Sequence, residues 1–204
     1  MEPMPKGCRR SGGPVRAGAR LLAVLALPLA LGACVFSKQP LSPPGSFRAD
    51  TRMVGNWAPK PDEDGNQHER ISVRQRDAYT LEVIYRQFYD DRWHRTDYTA
   101  TFTNMGDYAA LNLGHQTRQY GYVYLIASYS WESDGGLTIW IPDPGALFKD
   151  IQGGRLAGRI HEDDTVFGDE EAVLSGSSEQ VRRTLAAIPV DELFVWDSGP
   201  YYRQ

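Results

Sequence analysis

From residue 71 onward the chain alternates apolar and polar positions with the period of two that marks half-buried β-strands. Ile71 and Val73 stand against Ser72 and Arg74. Tyr79, Leu81, Val83 and Tyr85 share one face, with Thr80, Glu82 and Arg86 on the other. Tyr98, Ala100 and Phe102 then alternate with Thr99, Thr101 and Thr103. β-Branched and aromatic side chains fill these runs, as a pleated surface favours. The run over 121–131 differs because both of its faces are apolar or aromatic. Tyr120, Tyr122, Tyr124 and Ile126 lie on one, and Val123, Leu125, Ala127, Tyr129 and Trp131 on the other.

Turn residues separate the runs: Asp77-Ala78, Asp90-Asp91 and Asn104-Met105-Gly106-Asp107. Asp134-Gly135-Gly136 is the strongest, since Asp-Gly takes the positive φ angles of a tight hairpin. It links the long run to Leu137-Thr138-Ile139-Trp140-Ile141. Strands joined by hairpin-length links form an antiparallel meander, whose simplest closed form is a barrel.

Beyond Pro142 the pattern becomes helical. Leu147, Phe148 and Ile151 predict a short helix over 146–152, ended by Gly153-Gly154, and 156–160 reads as one more strand before an acidic loop over 162–171. Ser177-Ser178-Glu179-Gln180 fits a capping box, and Val181, Leu185 and Ile188 follow as one apolar stripe that must pack on a neighbour. The fold expected is mainly β: an antiparallel meander closing into a small barrel or half-barrel, with a late C-terminal helix packed on it.

The N-terminus carries a different signal. Lys6, Arg9, Arg10, Arg16 and Arg20 precede an apolar run over 21–33, which ends in Leu31-Gly32-Ala33-Cys34. A basic head, an apolar stretch and small residues before a cut make a secretory signal. At about 1.5 Å per residue these 13 residues reach about 20 Å, too short for a bilayer core of about 30 Å. With cysteine after the small pair, the segment resembles the lipobox of bacterial lipoproteins. That resemblance implies acylation of Cys34, palmitate included, and removal of residues 1–33. Val35 follows where aspartate would signal retention in the inner membrane, so the expected address is the outer membrane, facing the periplasm. Residues 34–50, rich in proline and polar residues, read as a lipidated tether, with an irregular strand folded onto the domain as the alternative. Residues 51–204 form the single globular domain.

Gly55-Asn56-Trp57 at the head of the strand-rich region resembles the Gly-Xaa-Trp element that opens lipocalin-type barrels. The resemblance implies that Trp57 plugs one end of the barrel and that an arginine of the last strand, here Arg203, packs over the indole. The chain is also similar to exported bacterial proteins that begin with Gly-Xaa-Trp and end with a helix and a Leu-Phe pair.

Charge and chemistry narrow the function classes. The first 33 residues hold five of the 22 basic side chains and one of the 26 acidic ones, so the remainder carries 17 and 25, a balance of −8. An acidic domain is a poor nucleic-acid binder, and its membrane contact is expected through acyl chains. Cys8 and Cys34 leave no thiol for a disulfide or a zinc site. His68, His94, His115 and His161 are scattered, and Asp62-Glu63-Asp64-Gly65-Asn66 misplaces the glycine of a calcium loop. No Gly-Xaa-Ser-Xaa-Gly elbow or phosphate-binding glycine loop is present. The expectation is a protein without cofactor, metal site or catalytic residues. It would hold an apolar or lipid-like ligand between Leu81, Phe102, Tyr122 and Tyr124, or serve as an accessory lipoprotein contacting an envelope protein.

Overall fold

The computed structural model describes residues 35–162, 170–194 and 196–204. Cys34 and the expected signal segment 1–33 lie outside the described residues, as does 163–169, most of the expected acidic loop. The strands are β1 (Val35–Ser37), β2 (Gly55–Pro59), β3 (Glu69–Gln75), β4 (Leu81–Tyr89), β5 (Arg92–Asn104), β6 (Ala109–Thr117), β7 (Gly121–Trp131), β8 (Leu137–Ile141), β9 (Gly158–Glu162), β10 (Glu170–Leu174) and β11 (Trp196–Arg203). The helices are α1 (Pro144–Gln152), α2 (Ser178–Ala186) and α3 (Val190–Leu193).

β2 to β8 run as a meander, each strand antiparallel to the next, and β11 fits between β8 and β2 to close an eight-stranded barrel. The meander expected from the alternation is therefore present, and it is closed rather than half-open. β6, over Ala109–Thr117, had no counterpart in the hydrophobic pattern; its Ala, Asn and Gly residues are weak strand formers held by pairing with β5 and β7.

β7 belongs to two sheets. Its last residues, 128–131, pair with β8, while Leu125 and Tyr124 pair on the same edge with β1. β1 runs parallel to β10, which pairs with β9, so a lateral sheet grows from the barrel wall. The tether expected over 34–50 is corrected at this point. Val35 and Leu41 are fully buried, and the Leu41 amide donates to Asn112 Oδ1 at 2.7 Å. Short strand pairing and two apolar anchors outweigh the extended preference of the Pro-rich composition. The segment is stitched to the barrel.

Two cores result. The barrel interior gathers Trp57, Leu81, Phe102, Leu111, Ala127, Leu137 and Tyr201. A second core outside the wall packs Ile126 of β7 and Ala110 of β6 against Leu147, Leu174, Val181, Leu185, Leu193 and Phe194. The stripe of α2 thus meets the outer face of β7. Of the expected capping box one half forms: Ser177 Oγ accepts from the Gln180 amide at 3.3 Å, but the Gln180 side chain donates to the Arg155 carbonyl instead. Leu185 is 0% exposed, so Leu185→Ala is expected to cost about 2–5 kcal/mol, read as a lowered urea midpoint. An unchanged midpoint would show α2 to be an appendage.

One end of the barrel is plugged. Trp57 donates from Nε1 to the Met53 carbonyl at 2.8 Å, and the Arg203 guanidinium lies 4.9 Å over its ring, as the Gly-Xaa-Trp resemblance implied. Gly55 has φ +149°, and a Cβ there would stand 3.3 Å from the Arg203 guanidinium, so both backbone and space require glycine.

Candidate ligand-binding site

Inside the barrel lies a cavity of about 150 Å³, with Met53 among the residues that line it. Alternation places its walls: the inward residues of β3 (Ile71, Val73), β4 (Leu81, Val83), β6 (Leu111, Leu113) and β8 (Ile139) are apolar, and so is Leu125 of β7. These walls offer water no partners, whereas Tyr85, Tyr98, Ser198 and Tyr201 add hydroxyls to the same lining. A purely apolar cavity of about this volume takes up a molecule the size of benzene.

The four residues expected to hold a ligand separate by strand parity. Leu81 lines the cavity. Phe102 is interior but sits nearer the plugged end, beside a groove with Phe47, Tyr108 and Tyr129. Tyr122 and Tyr124 are corrected: they stand on the outer face of β7, with Tyr122 49% exposed and Tyr124 packed against the outer core. Their neighbour Leu125 is the residue that faces the cavity. With β7 covered on both sides, its apolar pattern carried no sign of which face was inner. The Tyr122 ring covers Gly114, where a Cβ would fall 2.5 Å from its hydroxyl.

A polar cluster that the sequence reading missed joins the cavity. Tyr85, Tyr98, Ser198 and Tyr201 are polar members of its lining. The Tyr201 hydroxyl donates to Glu69 Oε2 at 2.6 Å and also contacts Ser198 Oγ at very short range. The Tyr85 hydroxyl is buried close to Glu69 without a hydrogen bond of normal geometry, although the two groups interact electrostatically. Glu69 faces inward at the start of β3, on the same side as Ile71 and Val73. Burial pushes its pKa above the usual carboxylate range, and the hydroxyls of Tyr201 and Tyr85 only partly offset this. No described basic side chain forms an ion pair with it, while burial and the Glu69 charge drive the Tyr201 and Tyr85 hydroxyls well above the ordinary phenol value.

The histidines remain apart. His68 pairs with Asp62 at 3.3 Å, His94 stacks on Tyr89 at 3.5 Å and His161 lies 5.3 Å from the Tyr120 ring. His115 Nε2 is buried without a partner, and desolvation lowers its pKa. Among the described residues no three His, Cys, Asp or Glu side chains gather as metal ligands, and no helix is long and apolar enough to cross a membrane.

Compared with known protein families, curated proteins and solved structures, the chain matches none. Function therefore has to be argued from the geometry of the cavity and its polar rim.

Proposed function

We propose that the protein is a bacterial envelope lipoprotein, held by acyl chains on Cys34 to the outer membrane and facing the periplasm. Its barrel would be a non-catalytic binding module for a small apolar or lipid-like ligand. The lipobox residues support the address, and the apolar cavity supports the activity. At about 150 Å³ the cavity is smaller than the roughly 300–1,000 Å³ of sites for drug-sized ligands. It suits one ring or the end of an acyl chain rather than a whole lipid.

The polar cluster is built for holding. Tyr201 donates to Glu69 and contacts Ser198, and we read this cluster as one that grips a ligand's polar end. Filling the cavity tests the reading. Solvent extraction and mass spectrometry of the protein purified from envelopes should recover a stoichiometric apolar molecule, and Val83→Phe, which projects a ring into the cavity, should abolish that recovery. Equal recovery from the variant would sink the binding module.

One observation favours the accessory reading as a second possibility. Arg70, Arg86 and Arg95 stand directly opposite one another across β3, β4 and β5, and Arg70 lies over the exposed Trp93 ring at 4.9 Å. Like charges in register are unfavourable within a sheet, and Arg with Trp is the composition of protein interfaces. Crosslinking in intact cells through this wall would identify an envelope partner.

A further inference from the structure

We propose that the occupant of the cavity is a cationic amphiphile, with its short apolar tail among Leu81, Val83 and Leu125 and its ammonium head against Glu69. The inference rests on the binding-module reading and adds the chemistry of the head. Three features of the barrel converge on it. Glu69, half-buried at the start of β3, is held by Tyr201 of the cavity lining and makes no ion pair with a described Lys or Arg. A half-buried carboxylate without an ion-pair partner is costly, and its natural complement is a charge-assisted donor. The Tyr85 hydroxyl beside it is buried and lacks a hydrogen bond of normal geometry, so it has capacity for one more partner.

An ammonium carries three donors and no acceptor, which matches a site made of a carboxylate and hydroxyl oxygens. A carboxylate head would meet like charge at Glu69. An alcohol could satisfy Tyr85 but would leave Glu69 uncompensated. Tyr201 and Ser198 hold the carboxylate from the β11 side, the Tyr201 hydroxyl at 2.6 Å from Oε2, so Glu69 is oriented before a ligand arrives. Pre-orientation of this kind reduces the ordering cost of binding.

The test is calorimetric titration of the full-length protein in lipid nanodiscs with n-hexylamine, n-hexanol and hexanoate, using empty nanodiscs as blanks. Hexylamine is expected to bind at least about tenfold more tightly than hexanol, the factor a hydrogen bond to a charged group supplies. In Glu69→Gln, which keeps an acceptor for Tyr201, hexylamine should bind no more tightly than hexanol. Should that variant melt early, Tyr85→Phe takes its place, with hexylamine binding expected to weaken severalfold. Equal binding of amine and alcohol to the unmodified protein, or tighter binding of hexanoate, overturns the head assignment while leaving the cavity reading intact. Absence of binding by all three overturns both.

Discussion

Trp57→Ala will lower the stability of the domain by about 3–5 kcal/mol, the range for deleting a fully buried large aromatic. Trp57 is 2% exposed and forms the floor of the barrel. Removing it loses the hydrogen bond to the Met53 carbonyl, the cation–π contact with Arg203 and the ring contact with Trp131 at 5.7 Å. Arg203 also donates to the Arg52 carbonyl at 2.8 Å, so the same residue ties the last strand to the turn that enters the first barrel strand. The Met53 turn is held by Asp50, whose carboxylate accepts from the Arg52 amide and guanidinium, the Tyr129 hydroxyl and the Trp131 indole. Burial opposes ionisation of Asp50, but the hydrogen bonds from Arg52 and Trp131 outweigh it and hold its pKa below the usual carboxylate range. A folded-state pKa below the unfolded one contributes stability above the unfolded pKa that is lost as pH falls through the folded value. The plugged end should therefore loosen in acid. Chemical unfolding followed by tryptophan fluorescence measures both effects, and an unchanged midpoint for Trp57→Ala would contradict the plug.

Glu69 carries the opposite sign. Its folded-state pKa is raised, so the folded protein binds that proton more tightly, and stability falls as pH rises from the unfolded value through the folded one. The carboxylate, half-buried and without an ion-pair partner, is a local liability beside the cavity. Liabilities retained inside a fold mark functional sites more often than structural ones. The two inward carboxylates thus divide the barrel. Asp50 is satisfied by neighbours from its own chain and serves the plug, whereas Glu69 is left to meet something from outside.

The extent to which the fold was legible follows from how locally each feature is encoded. β4, β5, β7 and β8 alternate over five or more residues and were visible, as was α2 from its serine cap and apolar stripe. β1 has three residues inside a Pro-rich stretch, and β10 begins in an acidic one; β1 exists through pairing with β7 and β10, and β10 through pairing with β1 and β9, rather than through composition. Leu81 was legible as a cavity residue because β4 has one polar face. Tyr122 and Tyr124 misled because β7 has none: its outer face joins the outer core with the apolar residues of α1 and α2. Glu69 and Tyr201 are 132 positions apart and meet only because β11 fits beside β2, a long-range closure that no window of sequence contains.

Cys34→Ser is expected to abolish lipid labelling and release the domain from the membrane without unfolding it. Only the thiol can carry the thioether-linked acyl group, and serine offers no equivalent nucleophile. The cysteine precedes β1, so the pairing of Val35 with β10, that of Phe36 and Ser37 with β7, and the Leu41 bond to Asn112 do not depend on it. Those contacts also sharpen what the anchor would do. A free tether of 16 residues could reach about 50 Å at full extension, but with Val35 already buried in the lateral sheet a single peptide link would join the acylated residue to the folded domain, a reach under about 4 Å. The barrel would then ride against the bilayer surface instead of swinging above it, close to the source of any lipid-derived ligand. Labelling cells with radioactive palmitate and separating membranes by density reads both parts of the prediction. Unchanged labelling of Cys34→Ser removes the lipoprotein reading, and a wild-type protein in the inner-membrane fraction removes the outer-membrane address while leaving the anchor.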